Sequence, residues 1–223
     1  HAPGDRGALC AAIDAQAGTK RWNLLDPLVC DQFKYLNWDR PHDLIAVLDA
    51  LPQLNAQPPL RGLIDLERVA LAGHSAGSGG VLTVGGAWRN FTGDVLDLAD
   101  PRRRPKAYLA FSPQQPGNEG FFDTDHDRAQ HSWDRLTRPV LVGTGDGDST
   151  CQALAEPGSC FGDLPYGRRI PFERLPPGDK ALLYLHDART FHGLFGLETT
   201  DSKCTASPLA QQRCDEAAAL LAA

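Results

Sequence analysis

Short apolar runs separated by turn-forming residues set the frame of this chain. Glu67–Ala72, Pro105–Phe111, Arg138–Thr144 and Ala181–His186 are each dominated by Val, Leu, Ala or Tyr with little polar alternation. That pattern predicts strands covered on both faces of a parallel sheet. Between them the spacing changes. Leu44, Ile45, Leu48 and Leu51 recur at helical intervals behind Asp39 and Pro41, so a helix is predicted from Asp39, as cap, to about Leu51. Gln57-Pro58-Pro59 breaks the chain before the first strand. Ser78–Trp88 is small and apolar enough for a buried helix, and Ala206–Ala223 reads as an amphipathic closing helix. Strands alternating with helices place the chain in the α/β class with a mainly parallel sheet. Residues 1–37 and Gly158–Pro177 are rich in loop formers, and no internal repeat or low-complexity tract interrupts the pattern.

The first strand runs into Gly73-His74-Ser75-Ala76-Gly77, and a helix follows it. A strand that turns sharply into a helix pushes the middle serine into a strained, exposed position, while flanking glycines let neighbouring backbones come close. The Ala76 N–H then points at an oxygen that becomes negative when Ser75 attacks a carbonyl. This is the nucleophile elbow of a serine hydrolase. The plainer alternative is a tight turn whose serine only caps the helix. His74 belongs to the elbow and lines it.

A serine nucleophile needs a base and a carboxylate, in the chain order Ser, Asp, His for this motif. The Arg138–Thr144 strand opens into Gly145-Asp146-Gly147-Asp148, on the strand-end rim where open α/β sheets place their sites. Either aspartate can hold the histidine; Asp146, nearer the strand end, is preferred over Asp148. Loop solvation or a calcium-like oxygen cluster is the alternative use of the pair. Past the Ala181–His186 strand, His192 lies in a loop able to reach Ser75 and is the expected base, whereas His186 ends the strand and is expected to be structural. His42, His126 and His131 sit in polar surroundings, and His1 has no second histidine at ligand spacing. No cofactor or catalytic metal is implied.

These pieces together resemble the α/β-hydrolases of the dienelactone-hydrolase-like and platelet-activating-factor-acetylhydrolase-like carboxylic ester hydrolases. The resemblance is carried by Arg40–Leu51, Ile64–Ala70, the elbow, Ala107–Gln114, Pro139–Asp146 and His192-x-x-Phe195-Gly196, in the family's order from about residue 38 onward. It implies the α/β-hydrolase fold, with Ser75 as nucleophile, Asp146 as acid and His192 as base. Two features depart from the family. The gap from Ala188 to His192 is longer than usual. At the front, some 66 residues precede the elbow strand where about four strands and a second oxyanion donor belong. The expectation is one α/β-hydrolase domain over 1–223: a loop-rich segment 1–37, the recognisable C-terminal part over 38–223, and the N-terminal strands absent from this chain. A companion N-terminal segment or chain of the same fold is the expected partner, because the elbow strand otherwise shows an unpaired edge.

Composition narrows the setting. A net charge of −6 argues against a polyanion partner, and Arg102-Arg103-Arg104, between prolines and after Asp94, Asp97 and Asp100, reads as a solvated connection rather than a nucleic-acid patch. No stretch approaches the roughly 20 apolar residues of a membrane span. The six cysteines fall into local pairs, Cys10 with Cys30, Cys151 with Cys160 and Cys204 with Cys214, out of about 15 possible pairings. No CxxC occurs, so disulfides in a secreted or periplasmic protein are expected. Polar residues 118–133 carry Phe121, Phe122 and Trp133, which either wall an acyl pocket with Gln114 and His74 or simply pack a long loop. The expected activity is serine-dependent hydrolysis of a small or lipid-like carboxylic ester through an acyl-enzyme. Acyl transfer to an alcohol with the same triad, and a non-catalytic processed fragment, are the alternatives.

Overall fold

The computed structural model describes residues 35–91, 94–96, 98, 105–114, 132–146, 148, 167–186 and 204–222. Its main sheet has strands β1 (Ala70–His74), β4 (Ala107–Phe111), β5 (Val140–Gly145) and β6 (Lys180–Leu185), in the order β1-β4-β5-β6 and all parallel. One row of the register runs Gly73, Ala110, Val142 and Leu182 across the sheet. The four strands therefore end along one rim. A separate antiparallel pair, β2 (Arg89–Phe91) with β3 (Asp94–Leu96), was not expected from the sequence. Strands of three residues are too short to show alternation, and only Gly93 between them marks a turn.

The sheet separates two layers of helix. Tyr108, Ala110, Val140 and Val142 alternate onto one face and meet Val81 and Leu82 of α2 (Ala76–Gly85), with Trp133 and Leu136 in the same buried cluster. Phe111 and Leu185 face the other way and pack on Cys204 and on Cys214 and Ala217 of α4 (Pro208–Ala222). Each large apolar side chain buried in these clusters contributes roughly 1.5–3 kcal/mol. Trp133 is fully buried in the first cluster, so of its two readings the packing one holds: it is core, not pocket wall. The Cys204–Cys214 disulfide forms as expected, with a Cα–Cα distance of 5.8 Å. Cys10, Cys30, Cys151 and Cys160 lie outside the described residues. No described helix is long and apolar enough to cross a membrane.

Three expectations need correction. The first helix, α1, spans Tyr35–Asn55, so Asp39 does not cap it and Pro41 lies inside it. An interior proline costs a helix a hydrogen bond and about 3 kcal/mol. Packing offsets this: Pro41 is fully buried, and Gly80 of α2 comes so close that an added Cβ would lie 3.4 Å from Arg40 Cβ. The loop expected over 158–177 contains a 3₁₀ turn, Gly167–Arg169, and a short helix α3, Ile170–Glu173, whose Phe172 packs on the first cluster.

The third correction concerns β1. Its sequence suits a strand covered on both faces, yet Ala70 and Ala72 are exposed. Among the described residues β4 is its only neighbour, and the covering of α4 stops short of it. Leading into this edge, Val47, Leu54, Leu60, Leu63 and Leu66 are exposed large apolar side chains, Leu63 by 74%. The connection that carries Leu60 and Leu63 is pinned at its ends. The Asn55 side chain donates to the Ile64 carbonyl at 3.0 Å and accepts from the Ile64 N–H at 2.9 Å.

Candidate active site

Ser75 stands between β1 and α2 with φ 53° and ψ −126°, a backbone conformation that L-residues rarely adopt. Hydrogen bonds on its N–H and on its carbonyl hold it. The Ser75 N–H donates to the Phe111 carbonyl at 2.9 Å, extending the β1–β4 ladder one residue past the strand. The Ser75 carbonyl accepts from the Ser78 N–H at 2.9 Å and from the Ser78 hydroxyl at 2.6 Å. Its side chain makes no capping hydrogen bond, which removes the reading of a serine that only caps the helix.

The two motif glycines are not equivalent. A Cβ on Gly73 would lie 2.4 Å from the Gly77 carbonyl oxygen, so the sharp turn requires glycine there. A Cβ on Gly77 would meet nothing within 4 Å among the described residues. The expectation of two close backbone approaches therefore holds at Gly73 alone. Ala76 is the first residue of α2, and first-turn N–H groups have no acceptor within their own helix. An anion beside Ser75 meets this end of the helix.

Along the same rim β4 is followed by Ser112, also left-handed with φ 48°, whose N–H donates to the Gly143 carbonyl at 2.7 Å. Neighbouring parallel strands lie about 4.8 Å apart, so the carboxylates after β5 stand roughly 10 Å across from the column of Ser75. An imidazole and its two hydrogen bonds bridge such a gap once both side chains lean inward.

The two aspartates have different surroundings. Asp146 accepts from the Tyr184 hydroxyl at 2.8 Å and lies 3.7 Å from His186 Nδ1, at 29% side-chain exposure. His186, expected to be structural, is 82% exposed directly after β6 and meets the Tyr184 ring edge-on. Asp148, at 3% exposure, accepts from the Thr144 hydroxyl at 2.8 Å and lies 3.5 Å from Nε of buried Arg168. Arg168 turns its other end to β4, donating from Nη1 to the carbonyls of Ser112 at 2.7 Å and Pro113 at 3.2 Å. Nothing local in the sequence announces Arg168: its partners lie 20 to 56 residues away.

Gln114 is buried behind the elbow, with Oε1 3.4 Å from the Ser78 hydroxyl, and His74 is the half-buried last residue of β1. His192, Phe121 and Phe122 lie outside the described residues. Among those described, no group of three or more His, Cys, Asp or Glu is placed to hold a metal ion.

No protein-family model matches the chain, and no curated protein matches it. Among solved structures it is similar to a monoacylglycerol lipase of Paleococcus ferrophilus, at 14% identity and a TM-score of 0.39, over 80% of this chain and 75% of that one. A likeness that distant decides nothing about substrate or catalytic residues.

Proposed function

We propose that this chain carries the nucleophile of a serine-dependent carboxylic ester hydrolase. The observation behind the reading is Ser75 itself: a serine in a strained left-handed conformation, at the end of a parallel strand and the head of a helix, with no capping role. Such strain persists where the surrounding structure enforces it, and it clusters at active sites. His192 takes the hydroxyl proton as Ser75 Oγ bonds to the ester carbonyl carbon. The carbonyl oxygen gathers negative charge against the Ala76 N–H. Collapse expels the alcohol, which receives the proton back from His192. Water then attacks the acyl-enzyme by the same proton route and frees the acid.

A carboxylate on the β5 rim holds the imidazole tautomer and stabilises its cation. The sequence prefers Asp146 for this, but burial and fixed hydrogen bonds support Asp148, which accepts from Thr144 and pairs with Arg168. Each carboxylate oxygen has two lone-pair directions, so these partners still leave Asp148 capacity for a histidine. The substrate class is a small or lipid-like ester. An oxidising compartment, secreted or periplasmic, is supported by the Cys204–Cys214 bridge. A companion segment or chain that pairs with β1 is supported by the exposed Ala70 and Ala72 and the apolar residues before them. It would bring the second oxyanion donor; lacking one donor costs ~2.7–4 kcal/mol of transition-state stabilisation.

Intact-mass analysis after fluorophosphonate treatment tests the reading. A single adduct on Ser75, absent in Ser75→Ala, is expected. Asp148→Asn should slow its formation by ~10²–10⁴-fold, and Asp146→Asn by less than about tenfold. The reverse order assigns Asp146. A folded protein that takes no adduct at Ser75 rules the hydrolase out.

A further inference from the structure

We infer that Arg168 is a positioning residue for the Ser75 chemistry, holding the β5 carboxylate rim and the β4 turn beneath the elbow in one rigid frame; this rests on the hydrolase reading. The guanidinium is 7% exposed and bridges three groups that belong to two different strand ends. Nε faces Asp148 Oδ1 at 3.5 Å, and Nη1 donates to the carbonyls of Ser112 and Pro113. Arg suits such a place because its planar fork points several donors in fixed directions, which a lysine ammonium cannot do.

The bridge reaches the nucleophile through a short chain of contacts. Ser112 and Pro113 follow Phe111, whose carbonyl accepts from the Ser75 N–H. The next residue, Gln114, approaches the Ser78 hydroxyl, which in turn donates to the Ser75 carbonyl. Ser112 needs support of its own, since a non-glycine residue at φ 48° persists only where its neighbours hold it. Arg168 grips the carbonyl of that residue. The same cation therefore fixes the height of the β4 turn under Ser75 and the seat of Asp148 across from it. Nothing in this arrangement brings Arg168 to a reacting atom, so its effect belongs to geometry.

Displacing a catalytic group by about 1 Å can cost 10²-fold in rate. The test is steady-state hydrolysis of p-nitrophenyl acetate with fluorophosphonate labelling, on the parent chain, Arg168→Gln and Arg168→Lys, well below each melting temperature. Arg168→Gln should lose about 10²-fold in kcat with KM changed less than about threefold, and Arg168→Lys should recover roughly a tenth of the parent rate. Leu136→Ala, a core truncation away from the rim, should lower the melting temperature and leave kcat alone. If both Arg168 variants melt lower but keep kcat within threefold, Arg168 is structural only and the inference fails. Should Arg168→Gln not fold, Arg168→Lys decides by the same two outcomes. Absence of any adduct on the parent overturns the hydrolase reading, and the catalytic role of Arg168 with it, which is a distinct result from a labelled parent with unaffected variants.

Discussion

At Gly73 a single added carbon decides whether the turn exists. Gly73→Ala drives a Cβ into the Gly77 carbonyl at 2.4 Å, a backbone atom that cannot rotate aside. Overpacking of this kind costs about 1–3 kcal/mol, and the upper end is expected here. Gly77→Ala meets open space among the described residues and replaces a helix glycine, so stability should rise by up to ~1 kcal/mol. Thermal melts of the two variants check the contrast; equal losses would contradict it. If the open space above Gly77 receives substrate, Gly77→Ala raises KM while it raises stability. The motif was legible at this scale because glycine and serine at fixed intervals leave few other uses for the turn. Thr144, Tyr184 and Arg168 were not legible. Their partners, Asp148, Asp146 and the β4 carbonyls, are set by how the strands assemble, and local spacing records none of that.

Elements are most legible in the sequence where both faces of a strand are covered. β4 and β5 fall within two residues of their expected positions, since an apolar run inside a two-sided sheet has few alternatives, and the half-buried edge strand β6 falls within one. α1 starts earlier than its local signal because local preference puts a proline in the first turn, whereas packing of Pro41 near Gly80 rewards its burial inside the helix. At the other end of the chain, α4 starts four residues after Cys204 and is tied to it through Cys214. Closing a loop with a sequence separation of 10 stabilises by about 3 kcal/mol through the unfolded chain. Replacing both cysteines by alanine should therefore lower the melting temperature by roughly 6–12 °C, at about 2–4 °C per kcal/mol for a chain of this size. Calorimetry of the double variant measures this, and an unchanged melting point would mean that α4 docks as well without its bridge. Phe111 and Leu185, which pack beside the bridge, keep part of that docking in either case.

For the molecule as a whole, β1 and β6 are the two edges of the main sheet among the described residues. The β1 edge, unpaired among the described residues, is preceded in the chain by the exposed Val47, Leu54, Leu60, Leu63 and Leu66, a combination that templates pairing with other chains. Without a companion the protein should self-associate with rising concentration. Leu63→Lys with Leu66→Lys should suppress this while leaving the melting temperature within about 1 °C, since exposed positions seldom change stability by more than ~0.5 kcal/mol. Light scattering across a concentration series follows the effect, and a parent chain that stays monomeric throughout would show the edge to be protected already. The short front of the sequence already implies an unpaired edge on the elbow strand; what local pattern misses is the exposure of Ala70 and Ala72 on its face, which depends on what packs over it.

The two hydrogen bonds between Asn55 and Ile64 give the β1 side a further property. An amide side chain there takes the place of a partnering peptide and brings the exit of α1 against the approach to β1. The eight residues between them form a closed detour whose feet are fastened together. A detour anchored in this way can be lengthened, shortened or exchanged without changing the path on either side. Leu60 and Leu63 ride on it, while Ser75 and the rim carboxylates stand on the sheet. On the proposed reading, the surface offered to a partner and the serine chemistry are thus carried by parts that can be altered independently.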